Sequence, residues 1–192
     1  MLSLEESLKI LKETNALIEG HFILSSGLHS SKYVQCAQLM SKPHKADKIC
    51  QSLAEKIEKE FPEFDVILSP AMGGIIIGYE IGKLLKKETI FSERVNSVFK
   101  LRRDFKIKKD SKVLIIEDVI TTGKSSLECS KLVISNDAFV VGYACIIDRS
   151  NTKSEIKEKI ISQVQLNIPT FTEDNIPKEL LSIKPVKPGS RN

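Results

Sequence analysis

Residues 113–126 read VLIIEDVITTGKSS. Val113, Leu114, Ile115 and Ile116 form a continuous apolar run, the pattern of a central parallel strand covered on both faces. Glu117 and Asp118 follow at its carboxyl end, the edge at which open α/β sheets place ligands. Thr121, Thr122, Gly123, Lys124 and Ser125 come next, before a helical pattern resumes. Such a turn exposes unpaired backbone N–H groups at a helix N-terminus, which suits a phosphate. Carboxylates at the same edge accept hydrogen bonds from sugar hydroxyls or take part in holding Mg²⁺. Together the two halves describe a site for a phosphorylated sugar. Gly123-Lys124-Ser125 matches the end of a Walker A loop, but that motif needs glycine five residues earlier, where Asp118 stands. The plainer alternative is an ordinary strand, turn and helix with solvated acids.

The acidic pair followed by V-I-T-T-G-K-S resembles the phosphoribosyl pyrophosphate motif of type I phosphoribosyltransferases. The resemblance implies an α/β fold with a central, mostly parallel sheet flanked by helices, and a small hood made by the N-terminal segment and a C-terminal strand. It implies that Glu117 and Asp118 contact the ribose hydroxyls, and that Val119, Ile120, Thr121, Thr122, Gly123, Lys124 and Ser125 form the loop holding the 5-phosphate.

Upstream, Asp65 to Ser69 reads as a short strand running into Pro70-Ala71-Met72-Gly73-Gly74, a second strand-to-helix turn where paired glycines permit close approach of backbone to ligand. In the resembled family this turn is the pyrophosphate loop, which assigns Gly73 and Gly74 to the same substrate. A helix over Ile75 to Lys86 follows, with Gly78 and Gly82 on one face. Gly20 to Tyr33, GHFILSSGLHSSKY, reads alone as a surface loop; as a block, its F-x-L-x-S-G-x-x-S resembles the hood of orotate phosphoribosyltransferases.

Ala138 to Ile147 reads as a long buried strand ending in Asp148-Arg149. An arginine there lies on the ligand side of the sheet, and its planar fork suits a carboxylate or a pyrimidine carbonyl; pairing with a neighbouring acid is the alternative. The resemblance assigns Arg149 and Thr121 to orotate. Arg94 to Lys109 is strongly basic, which is commonly a solvated face. In the resembled family this segment is a mobile loop closing over pyrophosphate, and Arg94 and Lys100 are then its candidate catalytic cations beside Asp118. The same resemblance implies Mg²⁺ held mainly through substrate and water, with no side chain as direct ligand, and a homodimer.

The remaining chain sets limits. Its 192 residues suit one domain, with the hood at about 1–40 and 160–192 and the core at about 41–159. Ser3-Leu4-Glu5-Glu6 is a capping-box pattern opening a helix. Ser41-Lys42-Pro43 starts another, which Pro62 ends. Ser154 to Gln165 reads as a short helix and an edge strand completing the hood, and the tail from Ile183 as irregular. Cys36, Cys50, Cys129 and Cys145 show no zinc spacing and read as buried thiols. The net charge of +4 suits a small anionic substrate and not a nucleic-acid partner. No apolar run has the length of a membrane span and no leader pattern opens the chain, so a cytoplasmic location is expected. Two rival functions remain: a purine phosphoribosyltransferase, and a regulator that senses phosphoribosyl pyrophosphate without catalysis.

Overall fold

The computed structural model describes residues 1–24, 26–151 and 154–188. In chain order the elements are α1 (Leu4–Glu13), β1 (Leu17–Ile23), β2 (His29–Val34), α2 (Ala37–Met40), α3 (Pro43–Glu60), β3 (Val66–Pro70), α4 (Gly73–Leu85), β4 (Glu88–Val95), β5 (Val98–Leu101), β6 (Lys112–Ile120), α5 (Lys124–Ile134), β7 (Phe139–Asp148), β8 (Ile160–Gln165), β9 (Thr170–Phe171) and α6 (Lys178–Leu181).

The main sheet has the order β5-β4-β3-β6-β7-β8 and is parallel except for β5, which turns back on β4. Its central strands are apolar on both faces because helices cover both. On one face Ile67, Leu114, Ile116, Ala144 and Ile146 pack with α1, α2, α3 and α4. On the other, Leu68, Val113, Ile115, Tyr143 and Cys145 pack with Cys129 and Val133 of α5. The four cysteines are free and buried, and burial pushes the Cys50 and Cys129 thiols up to about 12.

A second sheet, β1-β2-β9, is antiparallel and forms the hood. The stretch that reads alone as a loop, 20–33, therefore supplies much of a strand pair. His21 and His29 are buried inside it, with His21 Nε2 at 2.7 Å from His29 Nδ1 and His21 Nδ1 at 3.0 Å from the Ile183 carbonyl oxygen. Val186 bridges to Phe22 beside them, so the histidines fasten the C-terminal segment to the hood. Apart from that isolated bridge, residues 182–188 carry no helix or strand, as the prolines suggest, and residues 189–192 lie outside the described residues.

Two expectations need correction. Residues 160–165 do not join the hood: Ile160 to Gln165 pairs in parallel with β7 at the edge of the main sheet, and the C-terminal strand of the hood is β9. Ile161 and buried Val164 pack with α1 and α3, which cover this edge. The basic segment does not start as a loop either. Arg94 and Lys100 stand in the β4–β5 hairpin, with Glu93 opposite Lys100 and Arg94 opposite Phe99. The hairpin turns at Asn96 and Ser97, whose φ values of 50° and 66° are those of a two-residue turn with both central residues left-handed.

Candidate active site at the switch point of the sheet

β3 is the first strand of the main sheet in the chain, and the order grows outward from it in both directions, to β4 and β5 on one side and to β6, β7 and β8 on the other. The connections after β3 and β6 therefore leave on opposite faces, and ligands of open α/β sheets bind in the crevice between such strands. The crevice is visible in the register: β3 and β6 pair only from Val66↔Val113 to Leu68↔Ile115, while both strands run on, to Pro70 and Ile120. The two turns singled out in the sequence, 70–74 and 121–125, are its two lips.

β6 extends through Ile120, so Glu117 and Asp118 lie within a strand and obey its alternation. They point to opposite faces. Glu117 turns toward α5, where buried Ser126 donates to its Oε2 at 2.9 Å. Asp118 turns toward α4: a Cβ on Gly73 would lie 2.7 Å from Asp118 Oδ1, so glycine is needed for the α4 N-terminus to approach it. Asp118 Oδ1 also accepts from the Val119 amide at 2.9 Å, and the Asp118 carbonyl accepts from the Cys36 thiol at 3.8 Å, at the chain's exit from the hood. Burial pushes Glu117 up to about 7, the Ser126 hydrogen bond opposing it and neighbouring Asp118 adding to it. Burial likewise raises Asp118, against the hydrogen bond from Val119.

Only α1 has a side-chain N-cap among the described helices. α1 carries a complete capping box between Ser3 and Glu6, and α3 begins with Pro43, which has no N–H to satisfy. The N-cap residues of α4 and α5, Met72 and Gly123, make no side-chain bond to their helices, and at α5 the Thr122 hydroxyl accepts from the Lys124 amide at 3.4 Å. Gly123, at φ 75°, turns the chain into α5, and the first bond of that helix is from the Leu127 amide to the Gly123 carbonyl at 2.8 Å. The amides of Ser125 and Ser126 precede that bond and have no intrahelical acceptor. Thr121, Thr122 and Lys124 are exposed around them. The turn is backed by 154–156, since a Cβ on Gly123 would meet Ile156 Cδ1 and Ser154 Oγ at 2.7 Å. Two helix N-termini thus face one crevice, an arrangement for two anionic groups.

Arg149 follows β7, and its amide donates to the Ile120 carbonyl at 2.8 Å, which sets it beside Thr121. It is half-buried, and its Nε has no partner among the described residues. Burial lowers its pKa from the ordinary arginine value. The neighbouring acid does not neutralise it: Asp148 is buried and Asp148 Oδ1 accepts from the Ser150 amide at 2.7 Å.

The structure separates the two cations of the basic segment. Arg94 lies on the α5 face, ion-paired to Glu128 at 2.6 Å, donating to the Ser97 carbonyl at 2.8 Å and stacked 4.1 Å over the Phe99 ring. Its positive charge slightly favours the ionised form of Glu117. Lys100 is exposed on the opposite face, with Glu93. The sequence reading gave no role to Ser126 or Glu128, the third and fifth residues of α5, which sit under β6 and β4; nothing in their residue types marks them.

Residues 35–178 match the phosphoribosyl transferase domain family. The orotate phosphoribosyltransferase of Parvibaculum lavamentivorans is 43% identical over 189 residues, covering 98% of this chain and 97% of that protein. That of Methylorubrum populi is 45% identical over 188 residues, covering 97% and 96%. Among solved structures, the orotate phosphoribosyltransferase of Aeropyrum pernix has a TM-score of 0.71 at 22% identity, covering 82% of this chain and 92% of that one. The adenine phosphoribosyltransferase of Thermoanaerobacter pseudethanolicus has a TM-score of 0.62 at 17% identity, covering 70% and 88%. The fold is thus common to enzymes for different bases. A strand-end acidic pair, two glycine-bearing turns at the switch point and a match across three quarters of its length show that the chain belongs to the phosphoribosyl transferase domain family, type I, alongside the orotate phosphoribosyltransferases it resembles nearly end to end.

Proposed function

We propose that this chain is an orotate phosphoribosyltransferase, transferring the 5-phosphoribosyl group of phosphoribosyl pyrophosphate to N1 of orotate with release of pyrophosphate. The observation that carries the reading is convergence: the 5-phosphate turn, two carboxylates, the glycine lip and a half-buried arginine meet at one crevice. The near full-length relatives favour orotate over a purine. In this reading the amides of the turn at 121–125 bind the 5-phosphate, Glu117 and Asp118 accept the ribose hydroxyls from opposite sides, the lip at Gly73 and Gly74 receives the pyrophosphate, and Arg149 with Thr121 receives orotate, the guanidinium facing its carboxylate.

As the bond from C1 to pyrophosphate breaks, the ribose becomes oxocarbenium-like and the leaving group gathers negative charge. No side chain needs to act as nucleophile; the reaction is accelerated by alignment and by donors and charges placed where charge develops. Glu117 and Asp118 flank the sugar and stabilise the positive charge, with Asp118 on the pyrophosphate side. Arg94 is the nearer of the two candidate cations and contributes from the hairpin, whereas Lys100 could act only on a group reaching the opposite face. Mg²⁺ suits this donor set: the carboxylates diverge and form no shared cage, and Mg²⁺ usually keeps substrate and water oxygens in its shell. A bound Mg²⁺ would supply positive charge to the leaving pyrophosphate, and Glu117 and Asp118 are the carboxylates of this site that could help hold it.

We place the chain as a homodimer in the cytoplasm. Met72, the N-cap of α4, and Ile76 and Tyr79 within the helix lie at helical spacing and are 82%, 56% and 64% exposed, an apolar stripe suited to a second copy of this chain. Four free thiols and phosphorylated substrates that do not cross membranes suit a reducing interior. Among the described residues no helix is long and apolar enough to cross a membrane.

A panel of bases with phosphoribosyl pyrophosphate and Mg²⁺ tests the reading. Orotate should be consumed, seen as loss of its ultraviolet absorbance, while adenine and hypoxanthine are left intact. Consumption of a purine instead would overturn the choice of base, and binding without product from any base would indicate a regulator.

A further inference from the structure

Ser126 lies in the first turn of α5 and is fully buried. A serine there commonly bonds within its own turn; this one reaches across to the neighbouring strand and donates to Glu117 Oε2 at 2.9 Å. The other side chains on this face are otherwise occupied: Arg94 is tied to Glu128, and the Cys129 thiol sits 3.3 Å from the Ser92 hydroxyl. Ser126 is therefore the side chain that fixes the carboxylate orientation. It holds one oxygen and leaves Oε1 without a side-chain partner among the described residues. The hydroxyl belongs to the same helical turn whose amides stand ready for the 5-phosphate.

We infer that Ser126 is a positioning residue for phosphoribosyl pyrophosphate: it holds Glu117 Oε2 so that Oε1 faces a ribose hydroxyl, and it ties that orientation to the helix turn that grips the 5-phosphate. The inference rests on the reading of Glu117 as a ribose contact. A hydrogen bond to a carboxylate is worth enough that its loss should lower kcat/KM for phosphoribosyl pyrophosphate roughly tenfold. The KM for orotate should not move, because Ser126 lies on the α5 side and not beside Arg149.

A double-mutant cycle between Ser126→Ala and Glu117→Ala tests it, read as kcat/KM for each substrate and as the Kd for phosphoribosyl pyrophosphate, with thermal unfolding to follow the fold. The expected result is a roughly tenfold loss for Ser126→Ala in the natural background and less than a twofold effect in the Glu117→Ala background, where there is no carboxylate to orient. Ser126→Cys keeps the shape with a weaker donor, should fall between, and supplies the cycle if the alanine variant does not fold. Equal losses in both backgrounds would overturn the inference and leave only a packing role. A Glu117→Ala variant with undiminished affinity and turnover would remove the ribose reading and this inference together.

Discussion

Burial holds the proton of Glu117 up to about pH 7, where an unfolded glutamate would lose it near 4.5. Between those values the folded chain binds the extra proton, so this residue favours the folded state most below pH 4.5 and its contribution is lost as pH rises through about 7. At pH 8 the ionised side chain weakens the fold by roughly 3 kcal/mol. Glu117→Gln should then raise the melting temperature at pH 8 while lowering turnover, and the gain should shrink toward pH 5. A lower melting temperature at pH 8 would show the charge to be well solvated. Activity has the opposite sense, because accepting a ribose hydroxyl needs the carboxylate: kcat/KM for phosphoribosyl pyrophosphate should fall as pH drops below about 7. For Arg149→Ala, the KM for orotate should rise roughly 10- to 100-fold, as for loss of a charged hydrogen bond, with little change in that for phosphoribosyl pyrophosphate; equal changes in both would detach the arginine from the base. The acids and Arg149 were legible because a hydrophobic run ending in charge marks a strand end. The divergence of the two acids was not, because the apolar run stops at Ile116 while hydrogen bonding carries β6 on to Ile120.

The two lips of the crevice depend on glycines, for different reasons. Gly73 and Gly74 admit close contact with Asp118 and the Ile116 carbonyl, whereas Gly123 also needs its left-handed φ of 75°. In Gly123→Ala the strained backbone should cost about 1 kcal/mol or more, and the contact with Ile156 and Ser154 should displace the turn. Lowered melting temperature together with a raised KM for phosphoribosyl pyrophosphate is expected, and an unchanged KM would show that the turn does not hold the phosphate. Both turns could be read from sequence as small residues after an apolar strand, but such turns are common in α/β proteins, and the role of the glycine lip came from the family resemblance. The hairpin at 94–101 was hidden by its charge: seven basic residues between 94 and 109 suggest solvated loop, and the pairing of β5 depends on Phe99 being buried under Arg94, a long-range contact. Strand β8 was expected as an edge strand, but its place in the main sheet was not legible, because its partner β7 and the helices that cover it are fixed by contacts distant in sequence.

At the scale of the molecule, the order β5-β4-β3-β6-β7-β8 explains why turns 50 residues apart in the chain form one site. Helical and strand periodicity gave the elements, but only the pairing shows that β3 and β6 are neighbours that part after Leu68 and Ile115. The apolar stripe on α4 starts at Met72, at the lip itself, so a second copy seated there would adjoin the crevice. Ile76→Asp or Tyr79→Asp should therefore convert a dimer to a monomer in sedimentation, with the circular dichroism unchanged because both side chains are exposed; a persistent dimer would place the interface elsewhere. The claim on which everything else rests is that the carboxylates of β6 grip the ribose during transfer. Its most direct test is the initial rate of orotate consumption at pH 8 by the Glu117→Gln, Asp118→Asn double variant against the natural chain, with saturating phosphoribosyl pyrophosphate and Mg²⁺ and with folding verified. Loss of two transition-state contacts should lower the rate by about 100-fold or more, and a rate within a few-fold of the natural chain would contradict the account.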